Sequence, residues 1–156
     1  MNFYNNFSKF IINCELLNNT FSICPLLYGS LDLEILLSQD LNSDDIDILI
    51  PEIYLKEKWD VFKTLLETNG YKLIDLHEHT FIKENVKYSY ASIESLKDFA
   101  EIDIKDISIK DNYKVLSLNQ YLSVYSASVK DNYRIINKNK KDQEKIDLIK
   151  EELRKC

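Results

Sequence analysis

Cys24-Pro25-Leu26-Leu27-Tyr28-Gly29-Ser30 and, further on, Asp44-Asp45-Ile46-Asp47-Ile48-Leu49-Ile50 are the two segments around which the chain is organised. The first reads as a short apolar strand, Ile23 to Tyr28, that stops at Gly29-Ser30 and turns into a helix starting near Leu31. The second reads as a strand over Ile46 to Ile50 with two carboxylates near its start. Side chains alternate faces along a strand, so Asp45 and Asp47 share one face while Ile46 and Ile48 point into the core. Two acids at a strand end near a helix N-terminus suit a hard cation such as Mg²⁺ and a phosphate group. The same two acids also fit a plain solvated strand start, and spacing alone leaves both readings open.

The whole chain sets the bounds. At 156 residues and 18.4 kDa it fits a single domain over 1–156, long enough to bury about two-thirds of its unfolded surface. That is too short for a TIM barrel. Hydrophobic residues make up 45% and charged residues 29%, the balance of a globular protein rather than of a long disordered chain. There is no apolar run of the roughly 18 residues that spans a bilayer, and Met1-Asn2-Phe3-Tyr4 lacks the basic start of a signal peptide. A cytoplasmic protein without a membrane partner is expected. Cys14, Cys24 and Cys156 are odd in number and widely spaced, which suggests neither a disulfide framework nor a zinc site, and Cys14 and Cys24 read as small core residues. The net charge of -6 disfavours a general nucleic-acid binder. One stretch runs against that balance. Between Lys130 and Lys141, the cations Lys130, Arg134, Lys138, Lys140 and Lys141 face Asp131 alone, which fits either a phosphate partner or a solvated helix entry.

Around the two segments, helical spacing of Phe3, Phe7, Phe10, Ile11, Cys14 and Leu17 predicts an amphipathic helix over 3–17. Ser30 is the expected N-cap of the helix that follows the first strand, with Glu34 near its first turn. The chain has only two glycines. Gly70 reads as a helix stop after Leu65 to Asn69, and Gly29 as a strand-to-helix turn where backbone N–H groups can approach a ligand. Ile53 to Asn69 is expected to be one helix with Trp59, Phe62, Leu65 and Leu66 on its core face. Tyr71 to Leu76, His79 to Lys83 and Lys87 to Ser92 read as strands, the last two forming a hairpin. His77 and His79 share a strand face without an evident third metal ligand, so they read as ordinary histidines. Ile102, Ile104, Ile107 and Ile109, with the turn Lys110-Asp111-Asn112, suggest a second hairpin reaching Leu116. Helices over Leu118 to Val129 and Lys141 to Arg154 complete an α+β fold, a small mixed sheet flanked by helices.

Apolar-Gly-Ser, a helix, then Asp-apolar-Asp-apolar resembles the signature of the nucleotidyltransferase superfamily, which includes DNA polymerase beta-like folds and small antibiotic nucleotidyltransferases. Here the match is Tyr28-Gly29-Ser30 and Asp45-Ile46-Asp47-Ile48, with a long intervening stretch, Leu31 to Asp44. Small members of that superfamily often end with an apolar helix, a basic turn and a Lys-Asp pair, similar to Tyr121 to Val129, Arg134 and Lys141-Asp142 here. The resemblance implies a nucleotidyltransferase-like fold and metal-dependent transfer of a nucleoside monophosphate from a nucleoside triphosphate to an unidentified hydroxyl acceptor, small-molecule or macromolecular. Asp45 and Asp47 would be catalytic and hold Mg²⁺, while Gly29, Ser30, Arg134, Lys138 and Lys141 would bind the nucleotide. A third carboxylate often comes from a later strand in that superfamily, and Lys87 to Ser92 contains none. The alternative is therefore a member that binds a nucleotide or a partner without turnover.

Overall fold

The computed structural model describes residues 2–130 and 136–155, with side chains described for 4–130 and 141–155. Two compact units make up the chain, Met1–Glu94 with Ile109–Val115, and Ser95–Ser108 with Leu116–Cys156.

In the first unit, α1 (Asn2–Phe21) leads into β1 (Leu26–Tyr28), α2 (Ser30–Leu37) and β2 (Ile46–Ile50). A short 3-10 turn, Glu52–Leu55, precedes α3 (Trp59–Thr68), and β3 (Lys72–Asp75), β4 (Thr80–Lys83) and β5 (Val86–Ser92) follow. Further along the chain come β6 (Ser108–Lys110) and β7 (Tyr113–Val115). The seven strands form one mixed sheet in the order β3-β4-β5-β2-β1-β7-β6. β1 and β2 are antiparallel, β2 and β5 parallel, and β1 and β7 parallel. The α+β class and the mixed sheet flanked by helices are as the sequence implies.

Alternation along β2 decides what each face does. Ile46, Ile48 and Ile50 are fully buried in one core with Phe10, Cys14 and Leu17 of α1 and Phe62 and Leu66 of α3. Register puts Leu27 of β1 beside Ile48, and Tyr88 and Tyr90 of β5 beside Ile46 and Ile48, so these belong to the same face. Each such aliphatic side chain contributes about 1.5–3 kcal/mol when withdrawn from water. The aromatic rings lock edge to face: Phe62 and Tyr90 lie 5.1 Å apart at 82°, Phe10 and Tyr113 5.4 Å apart at 84°. Trp59 packs on this core, as its place in the apolar stripe predicts.

Several boundaries differ from expectation. The helix expected over Ile53 to Asn69 is two elements, because Lys56 (φ -125, ψ -98) leaves helical geometry and α3 restarts after Lys58. The run Lys56-Glu57-Lys58 is exposed, so no apolar face holds those residues in a continuous helix. Only the last part of the expected Ile102 to Ile109 strand is extended, and Ile104–Asp106 is a 3-10 turn. At the end of α3, Gly70 has φ 90, with its N–H donating to Glu67 O and that of Tyr71 to Leu66 O, the paired bonds of a left-handed helix stop.

The second unit holds α4 (Ser95–Ala100), a short helix the sequence pattern does not announce, with α5 (Leu118–Val129) and α6 (Ile136–Arg154). α5 packs on both α4 and α6. It begins in a capping box: the Ser117 hydroxyl accepts from the Gln120 N–H at 3.1 Å and Gln120 Oε1 from the Ser117 N–H at 2.9 Å. α6 starts five residues before the expected Lys141. Among the described residues, no helix is long and apolar enough to cross a membrane.

Candidate functional site

β1 ends at Tyr28, directly opposite Asp47 in the antiparallel ladder. The C-terminal end of β1 and the N-terminal end of β2 therefore meet, and the turn into α2 lies at that junction. Gly29 makes the turn with φ 81 and ψ -148, a conformation open essentially to glycine alone. A Cβ built on Gly29 would lie 3.3 Å from Asp47 Oδ2 and 3.9 Å from Asp47 Cβ. The two residues are thus brought together by backbone geometry, and the absent side chain leaves the approach open.

Gly29, not Ser30, is the N-cap of α2; Ser30 is the first helical residue. The expected Ser30 cap fails because the left-handed turn falls one residue earlier, where only glycine fits, and no side chain caps the helix. The Leu33 N–H donates to Gly29 O at 3.0 Å, which closes the first helical turn. Helix N-terminal N–H groups and the helix dipole favour an anion at such a turn. Ser30 and Asp47 are half-buried, and Asp45 is exposed at a bend just before β2 rather than within it.

The other expected site residues fall elsewhere. Arg134 lies outside the described residues, and Lys138 is on α6 with its side chain outside them. Lys141 is exposed on α6, in the second unit. His77 is exposed, with Nε2 3.8 Å from Glu78 Oε1. His79 stands edge-on to the Trp59 ring at 4.9 Å, and its partial burial lowers its pKa. Among the described residues no group of three His, Cys, Asp or Glu side chains could hold a metal ion.

Two features escape the sequence pattern. Register puts Ser89 of β5 beside Asp47 on the same face of the sheet, and the Ser89 hydroxyl shares a 2.8 Å hydrogen bond with that of Thr80. Within α2, Asp32 and Glu34 are buried acids, and Glu34 Oε1 accepts the Ser43 backbone N–H at 3.1 Å. The alternation Leu31-Asp32-Leu33-Glu34-Ile35 is the available signal for these acids, since it interrupts an apolar run at every second position.

A mixed-sheet α+β protein with a glycine-only strand-to-helix turn set against a strand-borne carboxylate is the class these features define. The chain is 42% identical over 152 residues to the uncharacterized protein YnaI of Bacillus subtilis strain 168, covering 95% of this chain and 97% of that protein. It belongs to the family of that protein. No protein-family model matches the chain, and no solved structure matches it with significance.

Proposed function

We propose that this is a nucleotidyltransferase-like protein that binds a nucleoside triphosphate with Mg²⁺ at the turn between β1 and α2 and transfers its nucleoside monophosphate to a hydroxyl acceptor. The observation that carries this reading is the approach of Gly29 to Asp47, 3.3 Å from a built Cβ to Oδ2. It uses residues of the first unit alone. An oxygen-only donor pair, Asp45 and Asp47, fits a cation that takes one or two protein carboxylates and completes its shell with water and phosphate oxygens. Bound there, Mg²⁺ would offset phosphate charge during an in-line displacement. The backbone at Gly29 would come close to the phosphates because no side chain intervenes, and the N-terminus of α2 would face their charge. The Ser30 hydroxyl, on the first helical residue, would donate to a phosphate oxygen.

Calorimetric titration with ATP, GTP, CTP and UTP in Mg²⁺, and again in EDTA, tests this. Mg²⁺-dependent binding of at least one nucleotide with pyrophosphate release is expected; no binding of any of the four overturns the reading.

Ser89 favours a second reading, binding without transfer. It occupies the strand position beside Asp47 where a third carboxylate would complete the acidic group, and it carries a hydroxyl instead. Nucleotide binding without pyrophosphate release under any acceptor supports this version. Ser89→Asp would then be expected to tighten Mg²⁺ binding.

A further inference from the structure

One buried carboxylate of the first unit has no part in the reading above. Glu34 sits in α2 with 1% of its surface exposed, among the buried Leu31 and Leu33. Burying a carboxyl group is costly unless its oxygens are hydrogen-bonded, so its partner shows what it is for. That partner is the backbone N–H of Ser43, nine residues on, at 3.1 Å from Oε1. The main chain of Glu34 holds the other end of the same loop, its carbonyl accepting the Gln39 N–H at 3.1 Å.

The loop needs such a hold. Ser38 and Asn42 are both in the left-handed region, φ 53 and φ 59, which is uphill for residues with a side chain. The Asn42 N–H donates to Asp40 Oδ1 at 2.8 Å, a bond local to the loop itself. The Ser43 hydroxyl is buried with no partner among the described residues, so the backbone of Ser43, and not its side chain, is the anchored group. Asp45 follows two residues later, at the bend where the chain enters β2.

We propose that Glu34 is a positioning residue whose carboxylate fixes the 38–45 loop and thereby sets where Asp45 is delivered to the start of β2. The part of this concerning the cation rests on the function proposed above. Loss of the carboxylate frees the loop, and Asp45 then meets the cation only after the loop is ordered again, so affinity falls.

Three variants of the full chain test it. Glu34→Ala removes the acceptor, Glu34→Gln keeps the shape and a neutral acceptor in case the alanine variant does not fold, and Ser43→Ala keeps the backbone N–H while deleting the unpartnered hydroxyl. Amide hydrogen exchange at 41–45 is expected to speed up by about tenfold or more in Glu34→Ala, less in Glu34→Gln, with β2 amides unchanged. The Kd for Mg²⁺-ATP is expected to rise by about tenfold in Glu34→Ala, as when a group orienting a metal ligand is lost. Ser43→Ala is expected to match wild type in both. Unchanged exchange in both Glu34 variants overturns the proposal, and so does a loosened loop with wild-type Kd. Failure of the wild-type protein to bind any Mg²⁺-nucleotide overturns the function reading and Asp45's part in it, while the exchange result decides by itself whether Glu34 holds the loop.

Discussion

Oδ2 of Asp47 stands 3.3 Å from the position a Cβ would take on Gly29, across the junction where β1 ends and β2 begins. Alanine at 29 meets two obstacles there, the left-handed turn at φ 81 and the neighbouring carboxylate. Strain of this kind costs on the order of 1–3 kcal/mol. Gly29→Ala is expected to lower the melting temperature by about 2–4 °C for each kcal/mol lost. In an Asp47→Ala background the steric part is relieved while the backbone strain stays, so the same substitution should cost less there. Equal costs in both backgrounds would mean that the turn and the carboxylate do not meet.

Asp45 and Asp47 differ in burial, and that difference separates binding from stability. Asp45 is exposed, and an exposed substitution without special contacts stays within about 0.5 kcal/mol of wild type. Asp45→Asn should therefore leave the melting temperature unchanged and lower Mg²⁺-dependent nucleotide affinity by about tenfold, as losing one of two charged ligands would. Asp47→Asn should lose affinity similarly and also shift stability, because Asp47 is half-buried at the turn. EDTA should reproduce the affinity loss with wild-type protein. Titration calorimetry beside thermal melts checks both halves, and nucleotide affinity equal to wild type in the two variants removes them from the site.

The parts of this arrangement that the sequence makes legible are the local ones. Ile46–Ile50 is readable because Ile46, Ile48 and Ile50 recur at every second position and Pro51 marks the end, and Leu118–Val129 because its apolar residues fit a helical spacing. Gly29 is readable as a turn, since a chain with two glycines uses them where side chains do not fit. Its role as the cap is less so, because a good capping residue, Ser30, stands beside it and propensity cannot sense φ. Ser89 lies beyond local pattern altogether, and for Glu34 the alternation within α2 marks the acid but not its partner. Ser89 meets Asp47 only through a parallel pairing that spans α3 and two other strands, and Glu34 meets Ser43 only once the loop has turned back on α2. Such pairings depend on register, which no window of neighbouring residues contains.

A buried polar contact in the first unit offers a test of the core that is independent of any ligand. Asn13 on α1 is fully buried and donates from Nδ2 to the Tyr90 hydroxyl on β5 at 2.7 Å. Removing either partner leaves the other buried without its bond, which costs about 1–3 kcal/mol. Asn13→Ala and Tyr90→Phe should each destabilise by that order in denaturant titrations. The double variant should lose less than the sum, with a coupling of about 0.5–3 kcal/mol for residues in direct contact. Additive losses would mean that the contact is not made.

Alkaline pH should weaken the fold, and the buried acids that lose protons late give the sign. Burial pushes the Cys14 thiol up to about 12 from an ordinary 9.0, and burial likewise raises Tyr71, Tyr90 and Tyr113 above their ordinary 10.0. In the unfolded chain Cys14 ionises near 9.0, while in the fold it keeps its proton to about 12. The folded state therefore binds more protons in that window, and stability falls as pH rises through it, being fully present below the unfolded value. The tyrosines extend the same trend above 10.0. Cys14→Ala removes one contributor and leaves a small gap in the core, a loss that does not depend on pH. Denaturant titrations at about pH 8 and about pH 10.5 should show the wild-type advantage over Cys14→Ala shrinking at the higher pH, because only the wild type has a thiol to ionise on unfolding. An advantage of the same size at both values would mean that Cys14 ionises alike in the folded and unfolded chain.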